Sequence, residues 1–138
     1  MFKTNIHNSL KILFIFSFFF SKDLIADMEL DYCNSEVSQI NKVRPKEDGI
    51  LLIEDVICLP GSPVIVSYNA RVNRDMTSEE SEKAIKAANE MLPGQIKLFC
   101  NNPEMLKLLS LFNVEYIYKN KDGKFLTKNK LNKSDCKA

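Results

Sequence analysis

The chain has 138 residues, 45% of them hydrophobic and 27% charged, with 19 lysines and arginines against 18 aspartates and glutamates and one histidine. So even a balance gives no global electrostatic attraction for nucleic acid, whose binding is dominated by phosphate contacts. The length suits one domain with a single modest core.

The first 26 residues read as an export signal. Lys3 and Lys11 supply a positive start, Ile12 to Phe20 form an almost wholly apolar run, and Leu24-Ile25-Ala26 ends in the small residue that signal processing requires. The apolar run is shorter than the ~20 residues of a membrane span, so an uncleaved anchor is the weaker reading. Lys22-Asp23 leaves the cleavage position open by several residues. The first cysteine, Cys33, follows Leu30-Asp31-Tyr32 and lies far behind the apolar run, the wrong setting for lipid attachment. The expectation is a signal peptide over 1–26 and a periplasmic or secreted domain over 27–138, soluble and without a lipid anchor.

Residues 1–26 hold three lysines and one aspartate, so residues 27–138 carry 16 basic and 17 acidic side chains and a formal charge of −1. The charge is unevenly placed. Asp27 to Glu36 is acidic, whereas Lys119 to Lys137 has seven lysines against Asp122 and Asp135. Lysines on a terminal strand commonly serve to discourage edge pairing.

The only histidine, His7, falls within the signal segment. A product without histidine has no Ser-His-Asp or Cys-His arrangement, no His-based metal site and no histidine pH switch. No Gly-rich phosphate loop, EF-hand or internal repeat appears. Glu79-Glu80-Glu82 resembles a pair of catalytic carboxylates only superficially, since acids in a first helical turn serve the helix dipole. The reading is a non-enzyme with no catalytic, cofactor or metal residues.

Beyond the signal, Cys33, Val37 and Ile40 fall at helical spacing and predict a short amphipathic helix over 31–43, capped by Asn34 or Ser35. Pro45 and Asp48-Gly49 break it. Ile50 to Cys58 is rich in β-branched residues and predicts a strand, Leu59 to Pro63 a loop. Val64, Val66, Tyr68, Ala70 and Val72 then alternate with Ile65, Ser67, Asn69 and Arg71, which predicts a strand with one buried and one wetter face. The two runs read as an antiparallel pair, the first and more apolar lying nearer the sheet centre. Glu54-Asp55 inside the first run reads as a solvated face, with a bulge or docking edge as the alternative.

Thr77-x-x-Glu80 has capping-box spacing, and Ala84, Ile85, Ala88, Met91 and Leu92 form one face of the helix that follows. The small Ala84 and Ala88 would let it lie close on the sheet. Pro93-Gly94 interrupts it, with a restart over Gln95 to Cys100. Asn102-Pro103-Glu104 reads as N-cap, first helical position and dipole-paired acid of the next helix, which ends near Asn113. Val114, Tyr116 and Tyr118 predict a strand, Asp122-Gly123 a hairpin turn, and Phe125 to Leu131 the return strand.

These signals assemble into an α+β two-layer sandwich in the order α-β-β-α-α-β-β, a four-stranded antiparallel sheet with helices on one face. Four cysteines in an exported chain argue for two disulfides, with three pairings possible. No C-x-x-C spacing suggests redox chemistry or a zinc ribbon. On this fold, Cys33 of the first helix meets Cys58 at the end of the first long strand, and Cys136 reaches back to Cys100. Cys33–Cys58 with Cys100–Cys136 is therefore favoured, with the crossed pairings still open. Tyr116 and Tyr118, together with Met105 and Leu109 on the preceding helix, are the candidate partner-binding surface. Half-buried sheet packing is the commoner role for strand tyrosines.

The segment with Cys100, Asn102, Pro103, Glu104, Leu108, Leu109, Tyr116, Tyr118, Gly123, Leu126 and Cys136 resembles the ending of AspS-type pilotins, small exported bacterial proteins that assist type II secretion. It is also similar to an exported group of quorum-sensing-regulated virulence-factor proteins. The likeness is close from Cys100 to Cys136 and looser over the strand pair before it. Pilotins of that class are usually lipoproteins, which this chain does not match, and the Cys33/Cys58 pair lies outside the shared pattern. The resemblance implies an α/β fold and an accessory protein of the cell envelope that binds another protein or a peptide. A periplasmic inhibitor or immunity protein against a toxin or hydrolase is the alternative.

Overall fold

The computed structural model describes residues 27–42 and 45–137. The expected signal segment and Val43 lie outside these. Helix α1 spans residues 27–41, starting four residues earlier than expected. The reason is a longer apolar face: Leu30 joins Cys33, Val37 and Ile40 against the core, and Asp27 and Glu29 suit a first turn. Asn34 and Ser35 are consequently mid-helix and exposed. The chain continues through β1 (Lys46–Asp48), β2 (Leu51–Leu59), β3 (Ile65–Val72), α2 (Ser78–Glu90), α3 (Leu92–Asn101), α4 (Pro103–Leu111), β4 (Asn113–Lys119), β5 (Phe125–Leu131) and a 3-10 turn (Lys133–Lys137).

The protein is α+β, with one sheet in the order β1-β2-β3-β4-β5. Four details differ from expectation. A short fifth strand, β1, pairs with Leu51, Leu52 and Ile53. The sheet is mixed rather than antiparallel, because β3 and β4 run parallel, Val66 opposite Val114 and Tyr68 opposite Tyr116. The three helices between them form a crossover that returns the chain to the same end of the sheet, which is what parallel neighbours require. β3, not β2, is central. Its second face is not wet either: Ser67 and Asn69 are buried, flanked by strands on both sides. Glu54 is the bulge expected as an alternative, since the β2–β3 register shifts between Ile53 and Asp55.

Local chemistry sets the helix boundaries. Thr77 Oγ1 accepts from Glu80 N at 3.2 Å while Thr77 N donates to Glu80 Oε2 at 2.8 Å, a complete capping box for α2. Asn102 Oδ1 accepts from Glu104 N and Met105 N, and Pro103 opens α4. α2 and α3 part at Met91, so Pro93-Gly94, the expected break, instead lies in the first turn of α3, where proline is tolerated, and α3 starts before Gln95. At the β4–β5 hairpin, Gly123 sits at φ 84° and Asn120 Oδ1 accepts from Lys124 N. That backbone conformation favours glycine.

The main core joins Cys33 and Val37 of α1, Phe99 of α3, Leu109 of α4 and Phe112 to Val56, Val64, Val66, Tyr68, Val114 and Leu131 on one sheet face. Phe99 and Leu131 are fully buried, each burial stabilising the fold by roughly 1.5–3 kcal/mol. Two disulfides pin its rim, Cys33–Cys58 from α1 to β2 and Cys100–Cys136 from α3 to the terminal 3-10 turn. On the opposite face Ser67 Oγ donates to Glu115 Oε1 at 3.0 Å and Asn69 Nδ2 to Asp55 Oδ1 at 2.7 Å. Arg71 Nε there lies 2.7 Å from Glu54 Oε1, a charge contact whose alignment falls short of a hydrogen bond.

Candidate functional site

A second, smaller core cluster of Ala70, Ala88 and Tyr118 lies between α2 and the sheet, and it does not close. Above it lies a cleft of about 250 Å³, lined by Ile50, Leu51, Val72, Ala84, Ala87, Ala88, Met91, Tyr118, Leu126 and Thr127. The cause is side-chain size. α2 turns Ala84, Ala87 and Ala88 toward the strands, and three methyl groups cannot fill the gap. Ile50 and Met91 at the mouth stay exposed. The small residues were expected to bring α2 close onto the sheet; Ala88 does so, while Ala84 and Ala87 form a wall.

Polar bonds beneath the cleft fix its walls. Gln95 Nε2 donates to the Tyr118 hydroxyl at 2.7 Å. The buried Asn129 donates through Nδ2 to Ala88 O at 2.8 Å and to Gln95 Oε1 at 3.0 Å. Thr127 Oγ1 donates to Asn89 Oδ1 at 3.0 Å. α2, α3, β4 and β5 are thus joined at one place. Burial pushes the Tyr118 phenol above its usual pKa, against smaller opposing effects of Gln95 and Asn129. The phenol is therefore neutral at physiological pH. The lining offers hydrocarbon, one phenol and one hydroxyl, a surface suited to holding apolar side chains. Among the described residues no cluster of three or more His, Cys, Asp or Glu could hold a metal ion.

Of the four candidate partner-binding residues, only Tyr118 lines this cleft, as its buried floor. Tyr116 is half-buried and stacks on Tyr68 with ring centroids 4.7 Å apart, bridging the two core clusters. Met105 is half-buried against the main core, and Leu109 is buried within it. The remaining cleft residues come from β2, β3, α2 and β5, with Ile50 just before β2 and Met91 just after α2. The only sequence signal for them was the run of small residues on α2.

No family model matches the chain, and no curated protein matches its sequence. Its fold is similar to solved structures of two pilotins. EpsS from the Vibrio vulnificus type 2 secretion system has a TM-score of 0.61 and 11% identity, over 82% of this chain and 96% of that one. AspS from the Vibrio cholerae type II secretion system has a TM-score of 0.55 and 16% identity, over 80% and 94%. A Pseudomonas aeruginosa protein designated as secreted gives a TM-score of 0.63 and 11% identity, over 81% and 96%. At these identities the likeness is one of fold, and it agrees with the resemblance read from Cys100 to Cys136.

Proposed function

We propose that this chain is a non-enzymatic accessory protein of the bacterial cell envelope, periplasmic or secreted, that binds a segment of another protein in secretion or envelope assembly. The observation that carries the reading is the open apolar cleft between α2 and the sheet, whose walls are held by the Tyr118–Gln95–Asn129 bonds. A preformed apolar cleft binds without the cost of ordering its own walls. The pilotin fold and the two disulfides support an extracytoplasmic setting.

A photo-crosslinking residue in place of Ala87, compared with one at Lys130 on the opposite sheet face, tests this in cells expressing the full sequence. A discrete adduct with one envelope protein is expected from position 87 only, and Ala87→Trp, which fills the cleft, abolishes co-purification of that protein. No specific adduct or co-purified partner under several salt conditions counts against the reading. Osmotic-shock fractionation locates the protein, and the released form should weigh four hydrogens less than the reduced chain.

A further inference from the structure

A second groove shares no lining residue with the α2 cleft, and its chemistry differs. α1 and α4 stand side by side over Phe112 and leave a groove of about 330 Å³ walled by Tyr32, Glu36, Glu104, Lys107, Leu108 and Leu111. It runs on into a pocket of about 250 Å³ that shares Tyr32, Leu111 and Phe112 and adds Met28 and Glu29. Met28, Tyr32 and Leu111 remain 62%, 43% and 45% exposed, so large apolar side chains converge here uncovered by the other described residues.

The rim is strongly one-signed. Glu29, Glu36 and Glu104 line it against the single Lys107. α1 adds Asp27 and Asp31 and has no basic residue over residues 27–41. Its wall is also held in place. Cys33, next to Tyr32, is bonded to Cys58, and Asn41 at the far end of α1 exchanges hydrogen bonds with both Val56 N and Val56 O. A groove between two fixed helices accepts a third helix by ridge-into-groove packing. An acidic rim selects a basic occupant and raises its encounter rate.

We infer that the α1–α4 groove is a docking site for a cationic amphipathic helix of a partner protein, with apolar side chains on Tyr32, Leu111 and Phe112 and basic ones on Glu29, Glu36 and Glu104. This site is separate from the α2 cleft, so the fates of the two readings are distinguishable.

The test uses the exported, oxidised protein and a fluorescent Leu/Lys peptide of about 15 residues with leucines at helical spacing. A Leu/Glu counterpart and a scrambled Leu/Lys peptide are the controls. Binding of the Leu/Lys helix is expected to weaken with salt and by about tenfold in Glu36→Lys/Glu104→Lys, which reverses two rim charges. The same variant should gain affinity for the Leu/Glu peptide. On the unaltered protein, amide shifts on titration should centre on Tyr32, Leu111 and Phe112, which keeps the test valid should the variant misfold. Equal binding of all three peptides, no binding, or shifts centred on α2 would overturn the inference. So would self-association abolished by the same two reversals, which would give the groove to the lysine-rich hairpin of a second copy.

Discussion

Gln95 Nε2 donates a 2.7 Å hydrogen bond to the Tyr118 hydroxyl, joining α3 to the floor of the cleft across 23 residues of sequence. Tyr118→Phe leaves that amide donor without its acceptor in a half-buried place, at an expected cost of about 1–3 kcal/mol. Burial of the phenol, which that bond only partly offsets, shapes the alkaline response. Burial raises the phenol pKa above its ordinary 10.0 in the folded state. The stability of the buried neutral phenol is therefore complete below about pH 10 and lost as pH rises through the folded value, since the unfolded phenol ionises first. Urea denaturation at neutral and alkaline pH should show the lower stability of Tyr118→Phe and a smaller alkaline fall. Lysine titration is common to both proteins and cancels in the difference.

Asn41 does the work of a neighbouring strand. Its side-chain amide donates to Val56 O at 2.7 Å and accepts from Val56 N at 2.9 Å, just beyond the reach of the three-residue β1. Asn41→Ala strands both backbone groups on the edge of β2, at an expected cost of about 1–3 kcal/mol. Hydrogen exchange at the Val56 amide should quicken, and aggregation should rise as the edge opens. Asn41→Asp retains the acceptor and should fall between the two.

The two disulfides make separable contributions. They close separations of 25 and 36 residues, worth roughly 3–4 kcal/mol each in the chain-entropy account. Cys33→Ala with Cys58→Ala should quicken amide exchange at Val37 and Ile40 in α1 and weaken any ligand of the α1–α4 groove. Cys100→Ala with Cys136→Ala should instead loosen α3 and the terminal turn while sparing that groove. Exchange mass spectrometry of both variants distinguishes the two patterns.

Thr77→Ala removes the capping box of α2, with an expected loss of about 1 kcal/mol. Thr77, chiefly through its backbone N–H, is also the largest reason the Glu80 pKa is lowered, Arg74 adding less. A depressed carboxylate stabilises the fold above its unfolded pKa and loses that contribution as pH falls through the folded value. Only part of the depression should disappear in Thr77→Ala, because the backbone N–H remains. An NMR titration of the Glu80 carboxyl measures it.

The caps of α2 and α4 and the β4–β5 hairpin were legible in the sequence because each is settled within a few residues. Thr77 and Glu80, Asn102 and Glu104, Asn120 and Gly123 are bonded locally whatever the rest of the chain does. Even the favoured cysteine pairing needed only the order of elements. The parallel β3–β4 pair was not legible. Tyr68 and Tyr116 are 48 residues apart, and their register depends on how three helices cross over between them.

The candidate sites were the least visible, for the same reason. Tyr116, Tyr118, Met105 and Leu109 stood out as large apolar residues, and large apolar residues are what the core recruits. The cleft exists where alanines of α2 fail to fill space above Tyr118, and the groove where Tyr32 of α1 meets Leu111 and Phe112. By itself the sequence determined the long strands, the helices, the caps of α2 and α4 and the absence of histidine beyond residue 7. Only the tertiary structure decided the mixed sheet and the openings in the helix layer, because an opening is set by what distant side chains leave unfilled.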